Sequence, residues 1–242
     1  MRYAGGVRFD HALGLRRLWV VPAGASPTEG VYLRYPEEQL LRLIALESQR
    51  HRAIVIGEDL GTVPEGFRSD LAQAGVLGMQ VLWFERNPRG FAKPSAWRRD
   101  ATATTTTHDL PTVAGWWTEH DIDWHKRSEH LHNEEHERKR RAKDRALLWT
   151  ALQDAHCVNG EVPPREKCEV AVGGALAYIG KTRCAMAFAP VEDIAADREQ
   201  PNLPGTIDAH PNWRRRMKKD HIFRDKAARR RIRKFLAARR AP

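Results

Sequence analysis

The chain has 242 residues, of which 41% are hydrophobic and eight are Trp. That is enough apolar surface for a packed core, it excludes disorder over most of the length, and one large domain is the simplest organisation. The formal net charge of +10 admits an anionic partner, but the excess collects between Arg214 and Arg240, where only Asp220 and Asp225 oppose a run of Arg and Lys, so a neutral substrate stays open.

In chain order, Tyr3 to Asp10 is apolar, carries glycines and ends in charge, which predicts a buried strand delivering polar groups at its C-terminal end. Pro36 with Glu37 and Glu38, followed by Leu40, Leu43, Ile44 and Leu46, predicts a helix to about Arg50 with one apolar face. Ala53 to Ile56 reads as a second buried strand stopping at Gly57-Glu58-Asp59. Thr62 and Glu65 have the spacing of a capping box, which starts a helix closing near Gly75. Met79 to Phe84, Ala101 to Thr107 and Cys184 to Phe188 are further strands, and 125–152 is one long charged, then amphipathic helix, or two. The alternation predicts an α/β fold with a parallel sheet, with no fixed-period repeat and no linker to mark a second domain.

Three acids follow three separate apolar strands: Asp10, Glu58 and Asp109. In a β/α barrel, residues at the C-terminal ends of different strands converge on one ligand, and convergent carboxylates suit glycosidic chemistry, where one acts as nucleophile and another as acid and then base. Arg8, two residues before Asp10 on the same strand face, is placed to hold that carboxylate ionised. Glu58 needs the opposite environment, one that keeps it protonated. A single strand-end acid is more often a helix cap or a surface ion pair; the weight lies in the three together.

The blocks Arg8-Phe9-Asp10-His11-Ala12-Leu13-Gly14-Leu15, Gly57-Glu58-Asp59-Leu60-Gly61 and Thr104 to Thr112, followed by Glu199 to Thr206 and His210 to Arg215, occur in the order used by the amylomaltases, the 4-α-glucanotransferases of glycoside hydrolase family 77. The chain resembles the C-terminal part of that catalytic domain, with 1–216 bearing the motifs and 217–242 forming a basic C-terminal helix. The resemblance implies a (β/α)8 TIM-barrel family member, here a partial barrel lacking the first three strands, since the family places the nucleophile after its fourth. It implies Asp10 as nucleophile, Glu58 as general acid and base, Asp109 as transition-state stabiliser, and Arg8, His108 and Asn202 as substrate-binding residues. The substrates would be α-1,4-glucans and maltooligosaccharides, with no metal and no cofactor, and a complementing N-terminal half would fill the gap in the barrel. The alternative is a catalytically inactive remnant or one half of a split enzyme, at most a glucan-binding protein. Phe9 and Ala12 depart from the commonest family residues around the nucleophile.

Other features are read more plainly. Gly180-Lys181-Thr182 matches the end of a phosphate-binding loop, but Ala175 stands where that motif requires Gly. His120, His125, His130, His132 and His136 lie among Glu, Lys and Arg, as on a solvated helix face. Trp116 and Trp117 are either core residues or a stacking platform for sugar rings, and Trp213, Pro204 and Gly205 suit packing and turns as well as sugar contact. The tail has only Phe223 and Phe235 as aromatics, which argues against a nucleic-acid module and for a helix whose arginine stems cover apolar surface. Cys157, Cys168 and Cys184 never form C-x-x-C and are expected as reduced thiols. With no ~20-residue apolar run and no signal-like leader, a cytoplasmic location without membrane contact is expected.

Overall fold

A computed structural model describes residues 1–129, 131, 133–217 and 222–240, so His130 and His132 lie outside it, as does the Phe223 side chain. In chain order the elements are β1 (Gly6–Phe9), β2 (Arg17–Val20), β3 (Val31–Arg34), α1 (Glu37–His51), β4 (Ile54–Gly57), α2 (Phe67–Gln73), β5 (Gly78–Val81), β6 (Arg86–Asn87), β7 (Gly90–Phe91), β8 (Ala101–Thr104), α3 (Val113–Thr118), α4 (His120–Arg127), α5 (Glu134–Asp154), α6 (Glu169–Gly180), β9 (Met186–Phe188), α7 (Val191–Ala195) and α8 (Lys226–Arg240). The fold is α/β. The chain forms two compact units: Met1–Gln80 with Arg99–Thr102, and Val81–Arg98 with Ala103–Pro242. No helix among the described residues is long and apolar enough to cross a membrane.

In the first unit β1 and β4 pair in parallel, Gly6 opposite Ile54 and Phe9 opposite Gly57, and Ile56 bridges Leu77, also in parallel. The core lies where α1, α2 and a short 3-10 turn at Ala12–Leu15 cover this pair: Leu13, Leu15, Leu41, Ile44, Val55, Phe67 and Leu71 are buried together. Gly57 matters here, because a Cβ on it would meet Ala12 and Val76 at 3.1 Å. Arg16 ties the helices to the turn: its guanidinium donates to Glu37 at 2.6 Å, to Asp70 at 2.5 Å and to the Glu65 carbonyl at 3.1 Å, and its hydrogen bond to Glu37 raises its pKa further.

Several expectations change. β1 is not buried: on its described residues it pairs with β4 alone, and Phe9 is 38% exposed. The apolar face of α1 buries Leu41 and Ile44, while Leu43 and Leu46 remain exposed. The Thr62 to Glu65 capping box does not form. Helix α2 starts after Gly66, which has a positive φ of 80° and so serves as a backbone N-cap that no side chain completes. The hairpin β2–β3, antiparallel with Trp19 opposite Tyr32, had no expectation at all.

Strands β5, β8 and β9 form a sheet in that order. The Gly78 N–H donates to the Asp100 carbonyl and the Leu82 N–H to the Thr104 carbonyl, advancing four residues along both strands, as a parallel pair requires. In the second unit the region 125–152 is two helices, α4 and α5, and α5 is started by Asn133, whose side chain accepts from the His136 N–H at 3.0 Å. Helix α6 is buried on every side from Ala171 to Gly180. Helix α8 packs against it through Ala228, Phe235 and Ala238. That close approach requires Gly180, where a Cβ would meet the Phe235 carbonyl at 2.9 Å. The basic tail is therefore a packed helix: Arg231 donates to the Ile194 carbonyl, and Arg239 to the carbonyls of Thr182, Cys184 and Ala185. The three cysteines are free and buried, and burial pushes their thiols up.

Candidate active site

The β1–β4 register carries past the strands into the residues of interest. The Glu58 N–H donates to the Phe9 carbonyl at 2.9 Å, and the Ala12 N–H to the Glu58 carbonyl at 2.9 Å, so Asp10 and Glu58 are neighbours just beyond the C-terminal ends of two parallel strands. After Asp10 the backbone turns sharply, with His11 at a φ of 45°. That turn aims the His11 N–H at Glu58 Oε2, at 2.9 Å, while Glu58 Oε1 accepts from the Leu60 N–H at 2.8 Å. Glu58 is thus fixed through the strand-end loops themselves. Arg8 reaches Asp10 with an Nη1–Oδ1 distance of 2.5 Å, and the Asp10 side chain is 74% exposed. Asp59 points the other way: fully buried, it accepts from Arg68 Nε at 2.9 Å and from the Met79 N–H at 2.7 Å, which suits a residue that anchors the loop.

The second unit assembles the remaining candidates around Asp109, which follows β8. Asn202 Nδ2 donates to Asp109 Oδ1 at 2.6 Å, and His108 Nε2 lies 3.2 Å from Oδ2. The Asn202 N–H in turn donates to the His108 carbonyl at 3.1 Å. The structure therefore brings Asp10, Glu58 and Arg8 together in one unit, and Asp109, His108 and Asn202 together in the other. The Asn202 amide is directed at a carboxylate rather than into open space.

The loop that delivers Asn202 is stapled by a residue the sequence did not single out. Asn212 Oδ1 accepts from the Leu203 N–H at 2.9 Å and lies 2.7 Å from His210 Nδ1, and its Nδ2 donates to the carbonyl and hydroxyl of Thr206, both at 2.9 Å. Below it, Glu199 accepts from Trp124 Nε1 at 2.9 Å and pairs with His120 and Arg215, both at 3.1 Å. Burial works against ionisation of Glu199, but the Trp124 and His120 contacts outweigh it and hold the carboxyl below its usual range. His210 is 1% exposed, and its burial lowers its pKa against the pull of Asn212. His120 is thus part of a half-buried network and not of a solvated face. The signal for Glu199, Asn212 and His210 was their place in the two blocks Glu199 to Thr206 and His210 to Arg215 that carry the family resemblance; Trp124 and His120 lie outside both.

The aromatic candidates separate. Trp116 and Trp117 are core residues, 6% and 0% exposed, with Trp116 stacked on Trp83 at 4.7 Å and covered by Arg141. Trp213, with a φ of 60° and 65% exposure, leans on His108 at 5.1 Å between ring centroids, leaving an aromatic face open beside Asp109.

The sequence model of glycoside hydrolase family 77, described as 4-alpha-glucanotransferase, matches residues 1–221. The chain belongs to glycoside hydrolase family 77. Its family relatives include the 4-alpha-glucanotransferase of Mycobacterium tuberculosis (strain ATCC 25618 / H37Rv), 38% identical over 221 residues that cover 88% of this chain and 30% of that protein. The 4-alpha-glucanotransferase of Haemophilus influenzae is 30% identical over 238 residues, covering 92% and 33%. Among solved structures, the amylomaltase from Corynebacterium glutamicum superposes with a TM-score of 0.90 at 29% identity, over 97% of this chain and 36% of that one. The amylomaltase from Streptococcus agalactiae in complex with acarbose, at 17% identity and a TM-score of 0.70 over 97% and 41%, shares the fold. The chain spans about a third of the length of these family members.

Proposed function

We propose that the chain carries the reacting carboxylates of a 4-α-glucanotransferase, and that its strands are the later part of a (β/α)8 barrel of which the first three strands are not in this sequence. The observation that supports this reading best is the in-register placement of Asp10 and Glu58 beyond β1 and β4, with Arg8 on the first acid. In the proposed reaction an Asp10 oxygen attacks the anomeric carbon of an α-1,4-linked glucosyl unit. The bond to the leaving O4 breaks as Glu58 gives that oxygen its proton. The 4-hydroxyl of a second maltooligosaccharide then loses its proton to Glu58, attacks the same carbon and displaces Asp10, so the linkage is remade with retention. Asp109, held by Asn202 and His108, is assigned to stabilising positive charge at the anomeric carbon. Arg8 is assigned to orienting Asp10 through their ion pair and to substrate binding, and His108 to the sugar hydroxyls. No metal or cofactor enters the scheme, and a cytoplasmic location fits it.

A second reading, an inactive remnant or one half of a split enzyme that at most binds glucan, draws on the exposure of β1 and of the β2–β3 hairpin. Maltotriose disproportionation by the purified chain separates the two. Glucose together with maltooligosaccharides longer than the substrate, reduced at least ~100-fold by Asp10→Asn and by Glu58→Gln, supports the transferase. A folded chain that yields no longer products, but recovers them when a family N-terminal segment is added, is half of a split enzyme.

A further inference from the structure

A cavity of about 700 Å³ opens in the second unit among the β6–β7 hairpin, the C-terminal part of α5 and the end of α6. It contains none of the three acids, and its volume is in the range of small-molecule sites. Its floor is apolar, with Phe91, Leu147 and the buried Tyr178; the Tyr178 hydroxyl is used internally, donating to the Ala92 carbonyl at 2.6 Å. Its rim is cationic: Arg89, Lys93, Lys181 and Arg183 against the single carboxylate Asp154.

Some of that charge has a structural use. Helices α5 and α6 both end at the cavity, each C-terminus bearing roughly half a negative charge, and Lys181 Nζ donates to the Ala155 carbonyl at 2.7 Å, capping α5. Set against the two helix ends and Asp154, the four cations still leave an excess of about two positive charges. The side chains of Arg89, Lys93 and Arg183 make no hydrogen bond or ion pair among the described residues. Three cations with free heads therefore line one concavity together with the apolar Phe91 and Leu147, an arrangement that suits an anion.

A phosphate monoester carries about −1.5 to −2 charges at neutral pH, which matches the excess. The lone carboxylate narrows the choice, since Asp154 would repel a second phosphate but accepts hydroxyl hydrogens, as the Thr150 hydroxyl at the same wall also can. We propose that this cavity binds the phosphate monoester of a small polyol, a hexose phosphate in chemical class, with the phosphate on Arg89, Lys93 and Arg183 and the hydroxyls on Asp154. The site is independent of the transferase reading, because it shares no residue with it.

Titration calorimetry of the whole chain with glucose 6-phosphate, glucose and inorganic phosphate tests this. Glucose 6-phosphate is expected to saturate one site, with inorganic phosphate at least ~10-fold weaker and glucose giving no saturation. Arg183→Glu and Arg89→Glu, each still melting cooperatively, are expected to weaken glucose 6-phosphate at least ~10-fold, as loss of a charge-assisted contact does. Glucose 6-phosphate that fails to saturate, affinity unchanged in both variants, or inorganic phosphate binding as tightly as the sugar phosphate would each overturn the proposal.

Discussion

Asp193 illustrates how much one side chain can decide. It is fully buried, accepts from the Val113 N–H at 2.7 Å and takes the Thr105 hydroxyl, so it joins the segment after β8 to the start of α3. Burial is the larger influence and pushes its carboxyl up to about 6, against the two hydrogen bonds and Arg231, which lower it. The native state thus binds this proton more tightly than the unfolded chain, whose value is 3.8. Stability contributed here is full below the unfolded value and falls as the pH rises from about 4 to about 6, by an amount on the order of 3 kcal/mol. Asp193→Asn keeps an acceptor for Val113 and removes the charge, so its urea midpoint is expected to vary less between pH 4 and 7 than that of the unsubstituted chain. An equal pH slope in both proteins would show that Asp193 is ionised without cost. The same scale explains which site residues were legible in the sequence. Asp10 and Glu58 each follow an apolar run and Asp109 a Thr-rich strand, a local signal, whereas the Asn202 contact to Asp109 crosses 93 positions and Asn212 works inside its own loop, on the Leu203 N–H, Thr206 and His210, so neither leaves a periodic trace.

Elements were legible where their two faces differ. Helix α1 alternates at helical spacing and was placed to within a residue at each end, and β1, β4 and β8 were found as short apolar runs. Helix α6 was missed because it is buried all round and carries no polar face for a period to reveal, and the β2–β3 hairpin because its strands are only four residues each, with Leu18, Val20, Val31 and Leu33 on one face and Arg17, Trp19, Tyr32 and Arg34 on the other, too short a run for alternation to register. The break between α4 and α5 reflects chemistry that lies between elements. Arg141 of α5 makes two bonds to Asp121 of α4, at 2.8 and 2.6 Å, a third to the Trp116 carbonyl at 2.5 Å, and its guanidinium lies 4.6 Å from the centre of the Trp116 ring. Both charged side chains are less than a tenth exposed. Arg141→Leu leaves the Asp121 carboxylate buried without its partner, and a loss of about 3–5 kcal/mol in denaturant unfolding is expected. The exposed Lys139–Glu135 pair one turn earlier is the control, since Lys139→Ala is expected to change stability by less than ~0.5 kcal/mol. Equal effects in the two variants would remove Arg141 as the clasp between α4 and α5.

At the scale of the molecule the two units differ in how completely they cover their own apolar surface. Among the described residues, eleven of the eighteen exposed large hydrophobics fall in the first unit, including Phe9, Trp19, Val31, Tyr32, Leu33 and Ile54, although that unit is the smaller. Strand β3 is exposed at every position, whereas α6 is enclosed and its last ten residues are all buried. Protection against amide exchange follows buried contact, and opening free energies run from near zero at poorly covered elements up to the global value. Amides of β2 and β3 are therefore expected to exchange at least ~100-fold faster than those in the centre of α6, measured by hydrogen exchange at neutral pH. This bears directly on the two functional readings, because β1, which Asp10 directly follows, belongs to the less covered unit. If a family N-terminal segment slows exchange in β1 through β3 while leaving α6 unchanged, the exposed surface is the seat of that segment, and Asp10 is held in place only when it is present. If β2 and β3 are already as protected as α6 in the chain alone, their apolar faces are covered by self-association, and the complementing half has no seat there to occupy.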